Sequence, residues 1–344
     1  MKLLLVGLDG LRVDLALPGP VAADPAFAAP DHPADPRFAA GSPGSAPPAD
    51  PPVSVEVVDG LAPTLQRLTD GGRLVPVWMT PPTDSGPGWS SLLTGTTHEQ
   101  NNVWWNEFVG HRLGGCPDVL SQVFFANPRA RTFAAATWSA LVDPNGPGPV
   151  IHTRPDQQVG GQHRVMRATD FSEGCRSADR QVVAHATQVL NHEGPDAAFV
   201  YLEGVDEAGH RSGAASEDYR EAVRTADEHV RFLVKAVAER VERLGEDWLV
   251  AVVTDHGHKP EGGHGEDEVD VRRSFLLVHR ISPDPDAGLP APLTTPPTLR
   301  SHEVTPALLA ALGVRAGSWT PDHEVGAVRD VEPLGPTRDL RFEW

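Results

Sequence analysis

Short apolar runs recur along the chain, and each one predicts a strand that is buried on both faces. The runs are Leu3–Leu8, Leu74–Met79, Thr132–Trp138, Ala197–Leu202, Leu249–Val253 and Ser274–His279. Turn-forming residues bound them, and continuous apolar runs of this length are typical of strands in a parallel sheet covered by helices.

Segments with helical periodicity separate these runs. The clearest is Tyr219–Leu244, where apolar residues recur at steps of three and four and predict an amphipathic helix of about seven turns. Further helices are predicted at Leu61–Leu68, Asp118–Phe125, Ala178–Leu190 and Thr305–Leu312. The alternation predicts an α/β fold with a largely parallel central sheet sandwiched between helices.

Two stretches lack either pattern. Residues 18–52 are rich in Pro, Ala, Gly and Asp, which predicts a low-complexity insertion in the form of an extended loop. Residues 139–170 are predicted to be irregular. Since no internal repeat or linker divides the chain, we expect residues 1–344 to form a single domain with an insertion at about 18–52.

Composition and charge narrow the classes of function. With 40% hydrophobic residues among 344, the chain can bury a substantial core. A formal charge of −18 argues against binding to a nucleic acid polymer or an anionic membrane. It would also repel a phosphorylated substrate unless bound cations reverse the local field.

Two further observations bear on location and on disulfides. After Lys2, the apolar run before Gly7 is only Leu3–Val6, which is too short for the core of a signal peptide. No run of about eighteen apolar residues occurs elsewhere, so we expect a cytoplasmic protein. Cys116 and Cys175 are the two cysteines, which excludes a disulfide framework and leaves one bridge open.

The most informative stretch follows the predicted strand Leu249–Val253. Asp255, His256 and His258 come directly after it, and His264 follows in a glycine-rich turn. Open α/β sheets bind their ligands at the carboxyl ends of strands. Since carboxylates and imidazoles are common metal ligands, this stretch predicts a metal site at that edge of the sheet.

Carboxylates also follow two other predicted strands. Asp9 comes directly after Leu3–Leu8, and Asp206 follows Ala197–Leu202. Asp206 and His210 lie four residues apart, a spacing that lets both side chains reach one ion from a single helical turn.

Ser85 is a candidate nucleophile. It follows the strand Leu74–Met79 through a turn rich in Pro and Gly, at the start of a short predicted helix. Backbone N–H groups at a helix N-terminus can stabilise an anion beside the hydroxyl. Serine is also a common helix cap, so position alone leaves both interpretations open.

Seven side chains at strand ends form the candidate site. They are Asp9, Ser85, Asp206, His210, Asp255, His256 and His264. Three carboxylates, three imidazoles and a hydroxyl suit two adjacent divalent ions that keep positions for substrate. His258 and His302 are competing histidines. Trp89, Asn102 and Trp104 are predicted to contact the substrate near Ser85, with core packing as the alternative for the tryptophans.

Four motifs, taken in order, resemble those of the type I phosphodiesterase/nucleotide pyrophosphatase family of the alkaline phosphatase superfamily. They are Leu-Asp-Gly-Leu-Arg at 8–12, Pro-Thr-Asp-Ser-Gly-Pro at 82–87 with Leu-Thr-Gly at 93–95, Asp-Glu-Ala-Gly-His at 206–210, and Thr-Asp-His-Gly at 254–257. The resemblance covers about residues 1–315. It implies an alkaline phosphatase-like fold whose site lies at the carboxyl ends of the strands.

The resemblance also implies roles for the seven side chains. One ion would be held by Asp206, His210 and His264, and the other by Asp9, Asp255 and His256 with the Ser85 oxygen. Ser85 would attack phosphorus and form a phosphoseryl intermediate on a small phosphodiester or nucleotide-type substrate. Zinc suits the ligands, and manganese is the alternative.

The chain departs from the family pattern around the nucleophile. Members often have Thr where Ser85 stands, and an Asn-His pair where Gly88 and Trp89 stand. The missing Asn removes a donor to a phosphate oxygen, which leaves a phosphomonoesterase as an alternative. A family member that binds without catalysis is another. A sulfatase is disfavoured because Trp89 occupies the position where the sulfatase motif requires Arg.

Overall fold

The structure is a computed structural model that describes residues 1–28, 60–265 and 267–315. Its strands are β1 (Lys2–Leu8), β2 (Arg73–Trp78), β3 (Thr132–Ala136), β4 (His163–Arg167), β5 (Ser172–Gly174), β6 (Ala197–Leu202), β7 (Trp248–Val253), β8 (Arg273–Ile281) and β9 (Leu299–Arg300). Its α-helices are α1 (Val13–Ala16), α2 (Pro18–Ala23), α3 (Pro63–Asp70), α4 (Ser85–Thr94), α5 (His98–Asn101), α6 (Val119–Ala126), α7 (Pro155–Val159), α8 (Cys175–His192), α9 (Gly204–Ser212), α10 (Glu217–Leu244), α11 (Val269–Arg272) and α12 (Val304–Ala311).

Eight strands form one sheet in the order β4-β3-β6-β1-β7-β8-β2-β9. β8 runs antiparallel to β7 and β2, whereas the other neighbouring pairs are parallel. The largely parallel sheet predicted from the apolar runs is therefore confirmed. Because β1 lies between β6 and β7, the carboxyl ends of these three strands meet at one place.

Helices cover both faces of the sheet. Leu4 and Val6 of β1 pack into one apolar cluster with side chains of α8 and α10, whereas Leu3 and Leu5 pack into a second cluster with side chains of α4 and α12. Full burial of each aliphatic side chain contributes roughly 1.5–3 kcal/mol. Both faces of β1 are therefore buried, as its continuous apolar run predicts.

The long helix α10 confirms the prediction from periodicity, and the sequence explains its ends. The Ser216 hydroxyl accepts a hydrogen bond from the Tyr219 N–H at 3.1 Å, which caps the first turn. Gly245 ends the helix at a φ of 66°, a conformation that favours glycine.

Residues 139–170 are more ordered than predicted. They contain α7 and the whole of β4, which pairs in parallel with β3 at the edge of the sheet. The sequence of β4 is His-Arg-Val-Met-Arg, and only His163 is fully buried. An edge strand needs no continuous apolar run, and the prediction of irregular structure was wrong for this reason.

The first part of the predicted insertion packs against the sheet. Residues 18–23 form α2, and the Phe27 side chain is buried. The Trp78 Nε1–H donates to the carbonyl of Ala26 at 3.0 Å, which anchors this segment to β2. A loop was therefore the wrong prediction for residues 18–27, and residues 29–52 of the insertion lie outside the described residues.

The structure also describes both cysteines and the apolar character of the helices. Cys116 and Cys175 are both buried free thiols, so the bridge that the sequence left open is not formed. In the part of the chain that the structure describes, no helix has the length and apolar character needed to cross a membrane.

Candidate metal centre

The ends of three adjacent strands place the candidate ligands together. Asp9 continues β1, and its N–H donates to the Leu202 carbonyl of β6 at 3.0 Å. Asp255 and His256 follow β7, and α9 carries Asp206 from the end of β6. Asp9, Asp255 and His256 are almost completely buried, so their polar atoms need partners within the site.

The first group of ligands consists of Asp9, Asp206 and His256, with Asp255 beside them. The Nε2 atom of His256 lies 3.2 Å from Asp9 Oδ1 and 3.4 Å from Asp255 Oδ2. Both carboxylate oxygens are buried and accept no hydrogen bond. Because an unsatisfied buried anion is costly, a cation is the partner that fits these oxygens.

The second group consists of Asp206, His210, His258 and His264. Nε2 of His264 lies 3.0 Å from Nε2 of His210, and Nε2 of His258 lies 2.7 Å from Asp206 Oδ1. Imidazole nitrogens that face one another beside a carboxylate suit a divalent ion such as zinc. Since Asp206 belongs to both groups, the two candidate sites are adjacent.

The ionisation of the first group indicates excess negative charge. Burial raises the pKa of Asp255 well above its usual range, and the neighbouring Asp9 raises it further. Burial acts on Asp9 in the same direction, but the close charge of His256 and the hydrogen bonds from Tyr201 and Trp89 bring its pKa to about 2. Despite burial, the charges of Asp255 and Asp9 raise the pKa of His256 to about 10. A divalent cation would neutralise this cluster.

Ser85 stands at the first residue of α4, next to both groups. Its Oγ lies 3.3 Å from His256 Nε2. Gly88 permits this approach, because a β-carbon at that position would lie 3.1 Å from Asp255 Cβ. The structure thus brings Asp9, Asp206, His210, Asp255, His256 and His264 together around the Ser85 hydroxyl.

The backbone N–H groups at this helix terminus are mostly occupied. The Gly86 N–H donates to Asn106 Oδ1 at 2.7 Å, and the Gly88 N–H donates to the Asp84 carbonyl at 2.9 Å. Pro87 has no N–H. Among the hydrogen bonds found in the described residues, none uses the N–H of Ser85, which leaves this one group for an anion.

A cleft of about 370 Å³ opens beside Ser85, Asp206, His210 and His264. Asn106 also lines it, and because its Oδ1 accepts the Gly86 N–H, its Nδ2 remains a donor next to Ser85. Asn106 was not among the predicted site residues, because the family pattern places the amide three residues after the nucleophile. The signal available was the Asn-rich stretch at 101–106.

The predicted substrate contact at Trp89 is wrong. Trp89 is fully buried, and its ring packs edge-on against Tyr201 with 5.2 Å between the ring centroids. Its Nε1–H donates to Asp9 Oδ2 at 2.8 Å, and the Tyr201 hydroxyl donates to the same oxygen. Since Trp89 lies one helical turn after Ser85 on the face toward the sheet, it holds a candidate ligand rather than substrate.

Asn102 and Trp104 were also predicted to contact the substrate. In the structure, their polar groups form hydrogen bonds within their own loop. Asn102 donates to the Gly110 carbonyl at 2.8 Å and accepts from the Trp104 Nε1–H at 3.2 Å. The Trp104 ring packs on His98 at 5.6 Å between ring centroids. Neither residue lines the cleft beside Ser85 in the described part of the chain, and their contact with substrate stays a prediction.

The competing histidines differ in position. His258 is fully buried within the second ligand group, and a β-carbon on Gly209 would lie 2.5 Å from its ring. The glycine of the Asp-x-x-Gly-His motif is therefore required for His258 to reach Asp206. His302 lies before α12 and belongs to neither group in the described part of the chain.

Asp179 of α8 holds the helix that carries Asp206 and His210. Its two carboxylate oxygens accept the N–H groups of Glu203 and Gly204 at 3.0 and 2.8 Å, at the start of α9. Burial raises its pKa to about 6 in spite of these hydrogen bonds. No local sequence pattern distinguishes this carboxylate, which lies within an ordinary amphipathic helix.

Comparison with known protein families gives one match that covers most of the chain. A family model described as type I phosphodiesterase / nucleotide pyrophosphatase matches residues 54–285. This range includes Ser85 and the motifs at Asp206 and Asp255, and Asp9 precedes it.

Curated relatives include a transferase from two mammals. The chain is 25% identical over 274 residues to the GPI ethanolamine phosphate transferase 3, catalytic subunit, of Mus musculus, covering 78% of this chain and 22% of the relative. The Homo sapiens protein is 24% identical over 320 residues, covering 91% and 24%. The chain therefore spans about a quarter of the length of these relatives.

Solved structures share the fold at low sequence identity. Human ectonucleotide pyrophosphatase / phosphodiesterase 5 superposes with a TM-score of 0.55 at 14% identity, covering 92% of this chain and 96% of that one. A lipoteichoic acid synthase from Listeria monocytogenes gives a TM-score of 0.52 at 12% identity, covering 92% and 73%.

Proposed function

This chain belongs to the type I phosphodiesterase/nucleotide pyrophosphatase family of the alkaline phosphatase superfamily, and from this premise we propose that Ser85 is the nucleophile of a two-metal phosphodiesterase. The family match confirms the predicted resemblance, and the shared fold confirms the predicted fold class. The family indicates an enzyme that acts on phosphoesters. The observation that carries the finer proposal is the Ser85 hydroxyl, which lies 3.3 Å from His256 at the junction of two ligand groups.

The residues present fit two divalent ions. Asp9, Asp255 and His256 would hold one ion, whereas Asp206, His210 and His264 would hold the other. The orphaned oxygens of Asp9 and Asp255 support the first assignment. Bound ions would lower the pKa of the serine hydroxyl and neutralise phosphate charge, and zinc or manganese suits these ligands.

Ser85 would attack the phosphorus of a diester in line with the leaving oxygen. The new bond joins Ser85 Oγ to phosphorus as the bond to the leaving oxygen breaks, and the serine proton ends on the released alcohol. The Asn106 amide and the Ser85 N–H are positioned to donate to the non-bridging oxygens. Water then hydrolyses the phosphoserine and restores the hydroxyl.

Charge in the cleft favours a diester over a monoester. Among the described residues that line the cleft there is no Lys or Arg to pair with the second negative charge of a monoester. A phosphomonoesterase stays the alternative, and comparing turnover of bis-p-nitrophenyl phosphate with that of p-nitrophenyl phosphate separates the two.

Substitution of the nucleophile tests the proposal. We expect Ser85→Ala to lower hydrolysis of bis-p-nitrophenyl phosphate by a factor of about 10³ or more, because no other group forms the covalent intermediate. Ser90→Ala, a buried serine in the same helix, is the matched control and should keep its activity. Undiminished turnover by Ser85→Ala at normal metal content would refute the assignment.

A second candidate function is transfer to an alcohol. The curated relatives are named as ethanolamine phosphate transferases, and the same phosphoserine can react with an alcohol in place of water. Product analysis in the presence of glycerol or ethanolamine distinguishes these outcomes. A transferase yields a new phosphodiester, whereas a hydrolase yields the monoester alone.

We further propose the class of partner and the cellular location of the protein. The partner is a small phosphorylated substrate rather than a nucleic acid polymer or a membrane, and the location is cytoplasmic. Measuring the metal content of the purified protein tests the non-catalytic alternative. A family member that only binds is expected to retain fewer than one ion per chain.

A further inference from the structure

A carboxylate outside both ligand groups lines the cleft beside the nucleophile. Glu203 lies between β6 and α9, and its N–H is held by Asp179. In the part of the chain that the structure describes, no basic side chain forms an ion pair with its carboxylate. Burial raises the pKa of Glu203 well above its usual range, and the charges of Asp9 and Asp206 add to this effect. Ions bound at those two aspartates would oppose the rise and favour the ionised carboxylate.

The proposed metal centre does not require this additional negative charge. Two divalent ions carry four positive charges, and the carboxylates of Asp9, Asp206 and Asp255 remove three of them. A phosphodiester monoanion neutralises the last one. Glu203 then remains as an unpaired negative charge in a partly desolvated cleft, which is unfavourable unless a cation compensates it.

An aromatic side chain lines the same cleft. Trp138 is half-buried and packs against Phe108 with 5.9 Å between ring centroids, which supports its ring at the wall of the cleft. The face of a tryptophan attracts an ammonium group, and the attraction strengthens when the cation is desolvated. A carboxylate and an indole in one cleft are the side chains that recognise alkylammonium groups.

We propose that Glu203 and Trp138 form a subsite for a positively charged ammonium group, so that the preferred substrate is a phosphodiester of an amino alcohol. The inference rests on the proposed phosphodiesterase function and deepens it. A nucleotide or a phosphomonoester brings a further negative charge toward Glu203 and is disfavoured for that reason.

Two chromogenic substrates of the same shape test this subsite. p-Nitrophenyl phosphocholine carries a trimethylammonium group, and p-nitrophenyl 3,3-dimethylbutyl phosphate has a neutral carbon in place of that nitrogen. We expect kcat/KM of the wild-type protein to be at least tenfold higher for the charged substrate. Because the measurement is a ratio, it requires no variant and is insensitive to the fraction of active enzyme.

Variants identify which side chains cause the preference in kcat/KM for the charged substrate over the neutral one. Glu203→Gln should lower the ratio toward one, because the isosteric amide cannot pair with the cation, and Trp138→Leu should lower it partly. Glu207→Gln is the matched control on α9, since the Glu207 carboxylate accepts the Cys175 N–H at 3.0 Å and does not line the cleft. Its ratio should equal that of the wild type.

The outcomes separate this subsite from the proposed function. Hydrolysis of both substrates at equal kcat/KM by the wild type would overturn the subsite and leave the phosphodiesterase intact. Failure to hydrolyse either substrate or bis-p-nitrophenyl phosphate would instead remove the function itself. Bound metal should be equal in Glu203→Gln and wild type, and loss of an ion from the variant would show that Glu203 is a ligand.

Discussion

Trp89 offers the sharpest test of how the metal centre is built. Its indole N–H and the Tyr201 hydroxyl both donate to Oδ2 of Asp9, whereas Oδ1 has no hydrogen-bond partner and lies 3.2 Å from His256 Nε2. One oxygen is therefore occupied, and the other is left to bind an ion. Trp89→Phe keeps an aromatic side chain and removes the donor.

The expected size of the effect follows from the character of this hydrogen bond. A hydrogen bond to a charged group is worth about 1.5–3 kcal/mol. Loss of a partner that orients a metal ligand typically lowers metal affinity by about 10- to 100-fold. We expect Trp89→Phe to lower the affinity for the ion proposed at Asp9 by a factor within this range. Tyr201→Phe should act similarly, and the double variant should show non-additive effects because both donors share one oxygen.

The assay is a zinc titration of the metal-free protein by calorimetry, with a chromophoric chelator as competitor. Trp248→Phe is the matched control, because Trp248 is also fully buried and its Nε1–H donates to a carboxylate, that of Glu246, at 2.9 Å. Trp248 begins β7, at the opposite end from the site. If both variants lose the same stability and both keep wild-type zinc affinity, Trp89 only fills the core and the reasoning fails.

Three further predictions concern the same region and its supports. His258→Ala should weaken zinc binding at Asp206 by about tenfold or more, because Nε2 of His258 contacts that carboxylate at 2.7 Å; unchanged affinity in the same titration would restrict His258 to packing. Gly7→Ala should lower the free energy of unfolding by about 1–3 kcal/mol, since its β-carbon would lie 2.5 Å from the Trp89 ring. In urea denaturation, Gly7→Ala should lower the free energy of unfolding less when Trp89 is replaced by Phe. An equal decrease in both backgrounds would show that the clash is not with Trp89. Burial lowers the pKa of His229 to about 4 from the ordinary 6.5, so the unfolded chain binds the proton first and stability falls as the pH drops from 6.5 toward 4. His229→Gln should reduce this fall by up to about 3 kcal/mol, and an unchanged pH dependence in urea titrations would contradict it.

The sheet and the carboxylates at its edge could be predicted because their signals are local. An apolar run followed by Asp9 or Asp255 identifies both a buried strand and the residue at its end. Parallel strands then bring those ends to one edge without knowledge of the strand order. The edge strand β4 gave no such signal, because only its first residue is fully buried.

The residues that hold the candidate ligands in place could not be predicted, because they lie far from those ligands along the chain. Asp179 lies 24 residues before Glu203, whose N–H it accepts. Asn106 reaches the start of α4 from a separate loop, and Tyr201 contacts Asp9 across neighbouring strands. Such contacts depend on tertiary packing, which residue type and periodicity do not encode.

The departures from the family pattern around Ser85 have a common physical explanation. Gly88 lets α4 lie against the end of β7, since a β-carbon there would approach Asp255 Cβ to 3.1 Å. Trp89 fills the space above β1 that Gly7 leaves open and donates to Asp9. In the proposed mechanism, Asn106 supplies the amide donor that the family places three residues after the nucleophile. Because the amide is supplied from another position, Gly88 and Trp89 do not argue against a phosphodiester substrate, and the charge of the cleft argues for one.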